Sequence, residues 1–181
     1  RETDGAPWAL TLRVPEWAES ATLTCGGRES HPVPGPVTLT RPWRIGDEIE
    51  LRLSMRPRYV HPDPRIDDLR GCAAVERGPL VYALESVDQP DVDLDCVAFD
   101  SSVPPQDGGT PHGLDGVRGI VASGAVLDLE RYGPAYQTSR PAPSSSRANL
   151  TLVPYYTWAN RTPSTMRVWA PIVRTALSGE G

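Results

Sequence analysis

Apolar and polar residues alternate with a period of two along the first third of the chain. Trp8, Leu10, Leu12 and Val14 are interleaved with Ala9, Thr11 and Arg13, the spacing of a strand with one face turned to a core. Ala21, Leu23 and Cys25 repeat the pattern until Gly26-Gly27 interrupts it. Val37 and Leu39 lie between Pro36 and Pro42, and Ile49, Leu51 and Leu53 alternate with Glu48, Glu50, Arg52 and Ser54. Gly46-Asp47 brings turn chemistry before the last of these, because glycine accepts the positive φ that hairpin turns demand. Four strands at about 12-residue spacing predict a sandwich and argue against a parallel α/β fold.

Residues 57–64, Pro-Arg-Tyr-Val-His-Pro-Asp-Pro, read as a crossing segment, since proline is unsuited to a central strand. A stronger run, Leu80-Val81-Tyr82-Ala83-Leu84, is entered through Gly78-Pro79. Further strands are expected over 72–75, 96–99, 117–121, 125–129, 150–156 and 166–173. Two stretches, 101–116 and 133–148, are rich in Pro, Gly and Ser and read as long surface loops. The one helical suggestion is a turn at 15–19.

Composition sharpens this picture. The 181 residues include 20 Pro and 16 Gly, against roughly 22 together at average usage, which favours turns over long helices. All 18 basic residues are Arg, and the net charge is −5. The Arg bias resembles GC-rich bacterial coding. No basic cluster exceeds Arg52, Arg56 and Arg58, so the electrostatic footprint of a nucleic-acid partner is missing. No apolar run is long enough to span a membrane, and the chain reads as part of a soluble bacterial protein. It starts near a strand pattern without an initiator Met and reads as a piece of a longer chain, so the compartment stays open. Cys25, Cys72 and Cys96 have neither zinc nor redox spacing and are expected as buried small hydrophobes.

Candidate chemistry is sparse. His31, His61 and His112 lack a nucleophile-elbow context. Asp91, Asp93 and Asp95 open like a calcium loop, but Cys96 and Ser102 stand where that loop needs Gly and a bidentate Glu; solvated carboxylates are expected, and no metal. Glu76, Glu85 and Asp88 are carboxylates in search of a cleft, expected mostly on the surface. The run Pro154-Tyr-Tyr-Thr-Trp-Ala-Asn-Arg161 is richer. Tyr155, Tyr156 and Trp158 offer faces for a sugar ring, and Asn160 and Arg161 offer donors to hydroxyls. The competing reading is that these rings anchor a loop over the core with their polar tips at the rim.

Five segments, in order, resemble one known family: Leu12-Arg-Val-Pro-Glu-Trp-Ala18, Arg41-Pro-Trp-Arg-Ile-Gly-Asp47, Glu76-Arg-Gly-Pro-Leu-Val-Tyr82 with Leu84-Glu85, Pro154 to Arg161, and Met166-Arg-Val-Trp169. They resemble the non-catalytic C-terminal part of glycoside hydrolase family 127, whose characterised members are β-L-arabinofuranosidases. The resemblance implies an all-β chain of jelly-roll-like antiparallel sandwiches. Residues 1–70 would be the later strands of a first, incomplete sandwich. Residues 71–181 would form a second, with the strand near 166–173 returning to the first. It implies a catalytic (α/α)6 barrel upstream, with a zinc held there by Glu and Cys. No position here matches a catalytic residue or zinc ligand, so catalytic residues, metal and cofactor are all expected to be absent. The implied work is to support that barrel or to mediate homodimerisation. The alternative is a carbohydrate-binding module for arabinose-containing glycans around Tyr155–Trp158.

Overall fold

The structure, a computed structural model, describes residues 5–128, 136, 138 and 145–173. It is all-β and antiparallel, with helix among the described residues only as three-residue 3-10 turns. None of these is long and apolar enough to cross a membrane. The chain divides into two compact units, Arg1–Arg56 and Pro57–Gly181.

The first unit holds β1 (Pro7–Val14), β2 (Ala21–Cys25), β3 (Arg28–Ser30), β4 (Gly35–Pro42) and β5 (Ile49–Leu53). β1 pairs with β4, Leu12 opposite Val37, while β2 pairs with both β3 and β5. Gly26 and Gly27 both have positive φ, 55° and 75°, the backbone of a two-residue type I′ hairpin turn between β2 and β3. β4 keeps its two prolines because β1 is its one neighbour among the described residues, and an edge strand tolerates missing N–H groups. One small cluster joins Val14, Ala18 and Ala21, flanked by Trp17, Val37, Leu51 and Leu53, and Leu23 and Trp43 are also buried. The alternation of β1 is present, yet of its expected inner face only Val14 is buried, and Trp8 remains 46% exposed.

The second unit holds β6 (Pro57–Val60), β7 (Cys72–Arg77), β8 (Leu80–Glu85), β9 (Val97–Phe99), β10 (Gln106–Asp107), β11 (Ile120–Leu127), β12 (Ser145–Pro154), β13 (Met166–Arg167) and β14 (Ala170–Pro171). They form one sheet with the path β10-β11-β12-β8-β7-β14, joined by β6 on β7, β9 on β11 and β13 on β8. Gly78-Pro79 makes the β7–β8 hairpin, with Arg77 opposite Leu80. Gly78 has φ 57°, and proline supplies the fixed negative φ that follows in a type II′ turn. The sheet curls until its hydrogen bonds return to their start. Beyond β14, Ile172 bridges Phe99 of β9 and the Val173 N–H donates to the Phe99 carbonyl at 2.7 Å. Inside lie Tyr82, Leu84, Phe99, Ile120, Leu150 and Leu152, all essentially inaccessible to water.

Several expectations shift. The units divide at Arg56/Pro57 rather than near 70, because residues 57–60 pair with β7. The expected crossing segment therefore begins as a strand, with its proline at the first position, where no ladder bond is lost. Residues 117–121 and 125–129 are not two strands; β11 runs straight through Gly124. Glycine stands there for close approach and not for a turn, since a Cβ would collide with Leu150 and the Ala98 carbonyl. Residues 166–173, expected to return to the first sandwich, supply strands to the sheet of the second unit: β13 pairs with β8 and β14 with β7. In the expected loop 133–148, residues 145–148 already belong to β12; the rest, apart from 136 and 138, lies outside the described residues, as does Leu129 of the expected 125–129 strand.

Candidate functional site

β12 delivers the chain at Pro154 into a 3-10 turn, Tyr155–Thr157. Thr157 is buried, and its hydroxyl donates to the Pro154 carbonyl at 2.7 Å, tying the turn to the strand end. The Trp158 N–H donates to the Tyr155 carbonyl and the Asn160 N–H to the Thr157 carbonyl, both at 3.2 Å. Between them Ala159 adopts φ +58°, a left-handed conformation that costs an L-residue about 1–2 kcal/mol. That cost is offset from below, where Glu85 Oε1 accepts the Ala159 N–H at 3.0 Å.

Four of the five residues predicted for a sugar contact face solvent. Tyr155, Tyr156 and Trp158 are 47%, 64% and 40% exposed. The Tyr155 and Trp158 rings are 6.5 Å apart with planes 27° from parallel. Asn160 is exposed, its Nδ2 at 3.5 Å from the Tyr156 carbonyl. The three rings are therefore partly exposed and not enclosed in the core.

Arg161 lies on the other side. Its side chain is 8% exposed, against 0% for Glu85 and 8% for Asp88. Nη1 donates to Asp88 Oδ1 at 2.8 Å and to the His112 carbonyl at 2.9 Å. Nη2 donates to Asp88 Oδ2 at 2.5 Å and to Glu85 Oε2. The Ser164 hydroxyl completes Glu85 at 2.6 Å. Asp88 is the main cause holding the guanidinium above its ordinary value; burial opposes it and Glu85 adds to it. Burial pushes the Glu85 carboxyl up, but hydrogen bonds from Ser164, Arg161 and Ala159 outweigh it, and the group lies below the usual range. Arg161 thus has both terminal nitrogens committed inside the protein.

The remaining candidates do not converge. Asp93 Oδ1 accepts the Asp95 N–H at 2.9 Å and caps a 3-10 turn, while Asp95 pairs with Arg167 at 2.9 Å. Asp91, Asp93 and Asp95 are all exposed, Asp95 by 84% of its side chain, so the carboxylates are solvated as expected even where they make these contacts. Glu76 pairs with Arg58 at 2.6 Å. The three Cys are free and half-buried, where full burial was expected. Burial first, then Asp93 and Asp95, pushes the Cys96 thiol up, which disfavours the thiolate that binds metal. Among the described residues no three His, Cys, Asp or Glu side chains gather to hold a metal ion, so they do not fit a zinc–thiolate centre. Sequence reasoning missed the Glu85–Arg161–Asp88 cluster. Its one trace is a Glu continuing the apolar run Leu80–Leu84, a charge where the strand is buried on both faces.

Residues 57–171 match the glycoside hydrolase family 127 C-terminal domain, and residues 1–55 match the GH127 middle domain of β-L-arabinofuranosidase. The chain belongs to glycoside hydrolase family 127. The two family 127 domains coincide with the two compact units. A curated relative, the non-reducing end β-L-arabinofuranosidase of Bifidobacterium longum subsp. longum, is 35% identical over 168 residues, 87% of this chain and 25% of its own. A GH127 β-L-arabinofuranosidase from Geobacillus stearothermophilus T6 superposes with a TM-score of 0.80 at 26% identity, covering 92% of this chain and 27% of that one. A structure described as a glycoside hydrolase gives 0.81 at 26% identity, covering 94% and 29%. The family 127 chain described here therefore spans about a quarter of the length of the curated relative it matches.

Proposed function

We propose that this chain is the non-catalytic β-region of an enzyme resembling the β-L-arabinofuranosidases, supporting a catalytic (α/α)6 barrel or its dimerisation, with the zinc held in that barrel. The observation that carries the reading is the state of its buried carboxylates. Glycoside hydrolysis needs an acid whose pKa is raised, facing a second carboxylate across the scissile bond. Glu85 is inaccessible and held ionised, and both oxygens of Asp88 accept from Arg161. A concavity of about 270 Å3 is lined by Asp88, His112 and Thr151, but its carboxylate is already committed to a guanidinium. A group so neutralised is a brace and not a proton donor.

The test is hydrolysis of 4-nitrophenyl β-L-arabinofuranoside by the 181-residue chain alone and by the chain joined to a family 127 barrel. Turnover that needs the barrel is expected; turnover by the chain alone would overturn the reading.

A further inference from the structure

The loop after β12 separates its chemistry by side: charge inward, aromatic faces outward. Arg161, Glu85, Asp88 and Ser164 lock it from beneath, and Ala159 is held in a left-handed conformation by its hydrogen bond to Glu85. Strained backbone that the surroundings over-determine is a recurrent property of sites that present side chains in a fixed geometry. What is presented here is Tyr155, Trp158 and Tyr156, all exposed.

We propose that this surface is a pre-organised platform for a neutral saccharide chain, resting on the accessory role proposed above. Three observations define the ligand. The first is that the polar groups on the platform are uncharged. They are two phenols, an indole N–H and the Asn160 amide, while the loop's one cation is used up on internal acceptors. An anionic, uronate-rich chain would find no free cation in this loop. The second is that, among the described residues, no hydrogen bond engages either phenol oxygen or Trp158 Nε1, which lets a sugar hydroxyl approach them. The third is the ring spacing. Centroids 6.5 Å apart leave no room for a sugar ring between the planes, which would need about 7–8 Å for two van der Waals contacts. The sugar must therefore lie across the outer faces, as on a shelf, and binding should tolerate different neutral sugars.

The experiment is affinity electrophoresis of the 181-residue chain in gels containing debranched arabinan, arabinogalactan, xylan or amylose. Polygalacturonate serves as the charged counter-probe, and Trp158→Ala and Tyr155→Ala run alongside after their circular dichroism is shown to be native. Retardation in one or more neutral gels, weakened at least about tenfold in either variant, is the expected result. No retardation in any neutral gel overturns the proposal, as does retardation that both variants retain or that polygalacturonate alone produces. Self-association that Trp158→Ala abolishes, seen by sedimentation without retardation, would also overturn it and assign the rings to a second copy. The accessory role fails separately, by hydrolysis in the absence of the barrel.

Discussion

In Arg1–Arg56 the buried apolar residues are Val14, Ala18, Ala21, Leu23 and Trp43; in Pro57–Gly181 they include Tyr82, Phe99, Leu84, Ile120, Leu150 and Leu152. The first unit leaves Trp8 at 46% exposure on a strand whose alternation is intact. The second can enclose an ionised Glu85 with its partners. A segment of roughly 60 residues buries only about 60% of its unfolded surface, so the small unit cannot cover both faces of its sheets. Its polar links stay near water: Arg41 and Asp47 pair at 2.9 Å with side chains 36% and 24% exposed. The difference teaches that alternation selects which face is apolar, while enclosure decides what that face is worth.

The largest effect is expected from breaking the enclosed charges. Arg161→Ala leaves two carboxylates buried without their cation, and should cost about 3–5 kcal/mol in urea unfolding of the second unit. Core truncation comes next. Leu152→Ala, at a site with no exposure, should cost about 2–5 kcal/mol. Leu12→Ala on half-buried β1 should cost about 1 kcal/mol, in proportion to the smaller area removed from water. Equal losses would erase the contrast. Trp8, Trp17 and Trp43 lie in the first unit and Trp158 and Trp169 in the second, so single-Trp versions report each unit by fluorescence.

Gly124→Ala follows, because the new Cβ would collide with Leu150 and the Ala98 carbonyl; a loss of about 1–3 kcal/mol by thermal unfolding is expected. Acid sharpens the comparison from another side. The Glu85 pKa is depressed in the folded protein, so its stabilisation is present above its unfolded value and disappears as pH falls through the folded one. Acid unfolding of the second unit should therefore flatten in Glu85→Gln, and an unchanged acid limb would count against the burial argument. The smallest effect belongs to Asp47→Asn, about 1 kcal/mol or less for a pair so near solvent.

Features set by neighbours in sequence were legible. Gly26-Gly27 and Gly78-Pro79 were legible as breaks beside strands, though not as hairpins, whereas Gly46-Asp47, read as hairpin chemistry, joins β4 and β5, which do not pair with each other. The all-β architecture follows from alternation and turn spacing, and the family from five ordered segments. What escaped depends on distant partners. Gly124 reads as a break until Leu150 is known to lie against it. The aromatic loop was visible as Tyr155, Tyr156 and Trp158, but the inward use of Arg161 depends on Glu85 and Asp88, more than seventy residues away. A pair of charges at that separation leaves no periodic signature. Trp8 shows the converse: its side is legible, its lack of cover is not.

The curled sheet of the second unit is closed by residues 170–173, where Ala170 meets Ala73 and Val173 reaches Phe99. Joining such distant parts of the chain costs loop-closure entropy before any contact repays it, and topologies ruled by such pairings fold in milliseconds to seconds. During synthesis the strand pairs β7–β8 and β11–β12 can form early, but their common interior stays open until the closing residues leave the ribosome. Over that interval Phe99 and Leu152 lack the cover they have in the folded unit, and transiently open apolar surface of this kind is what makes nascent chains prone to aggregate.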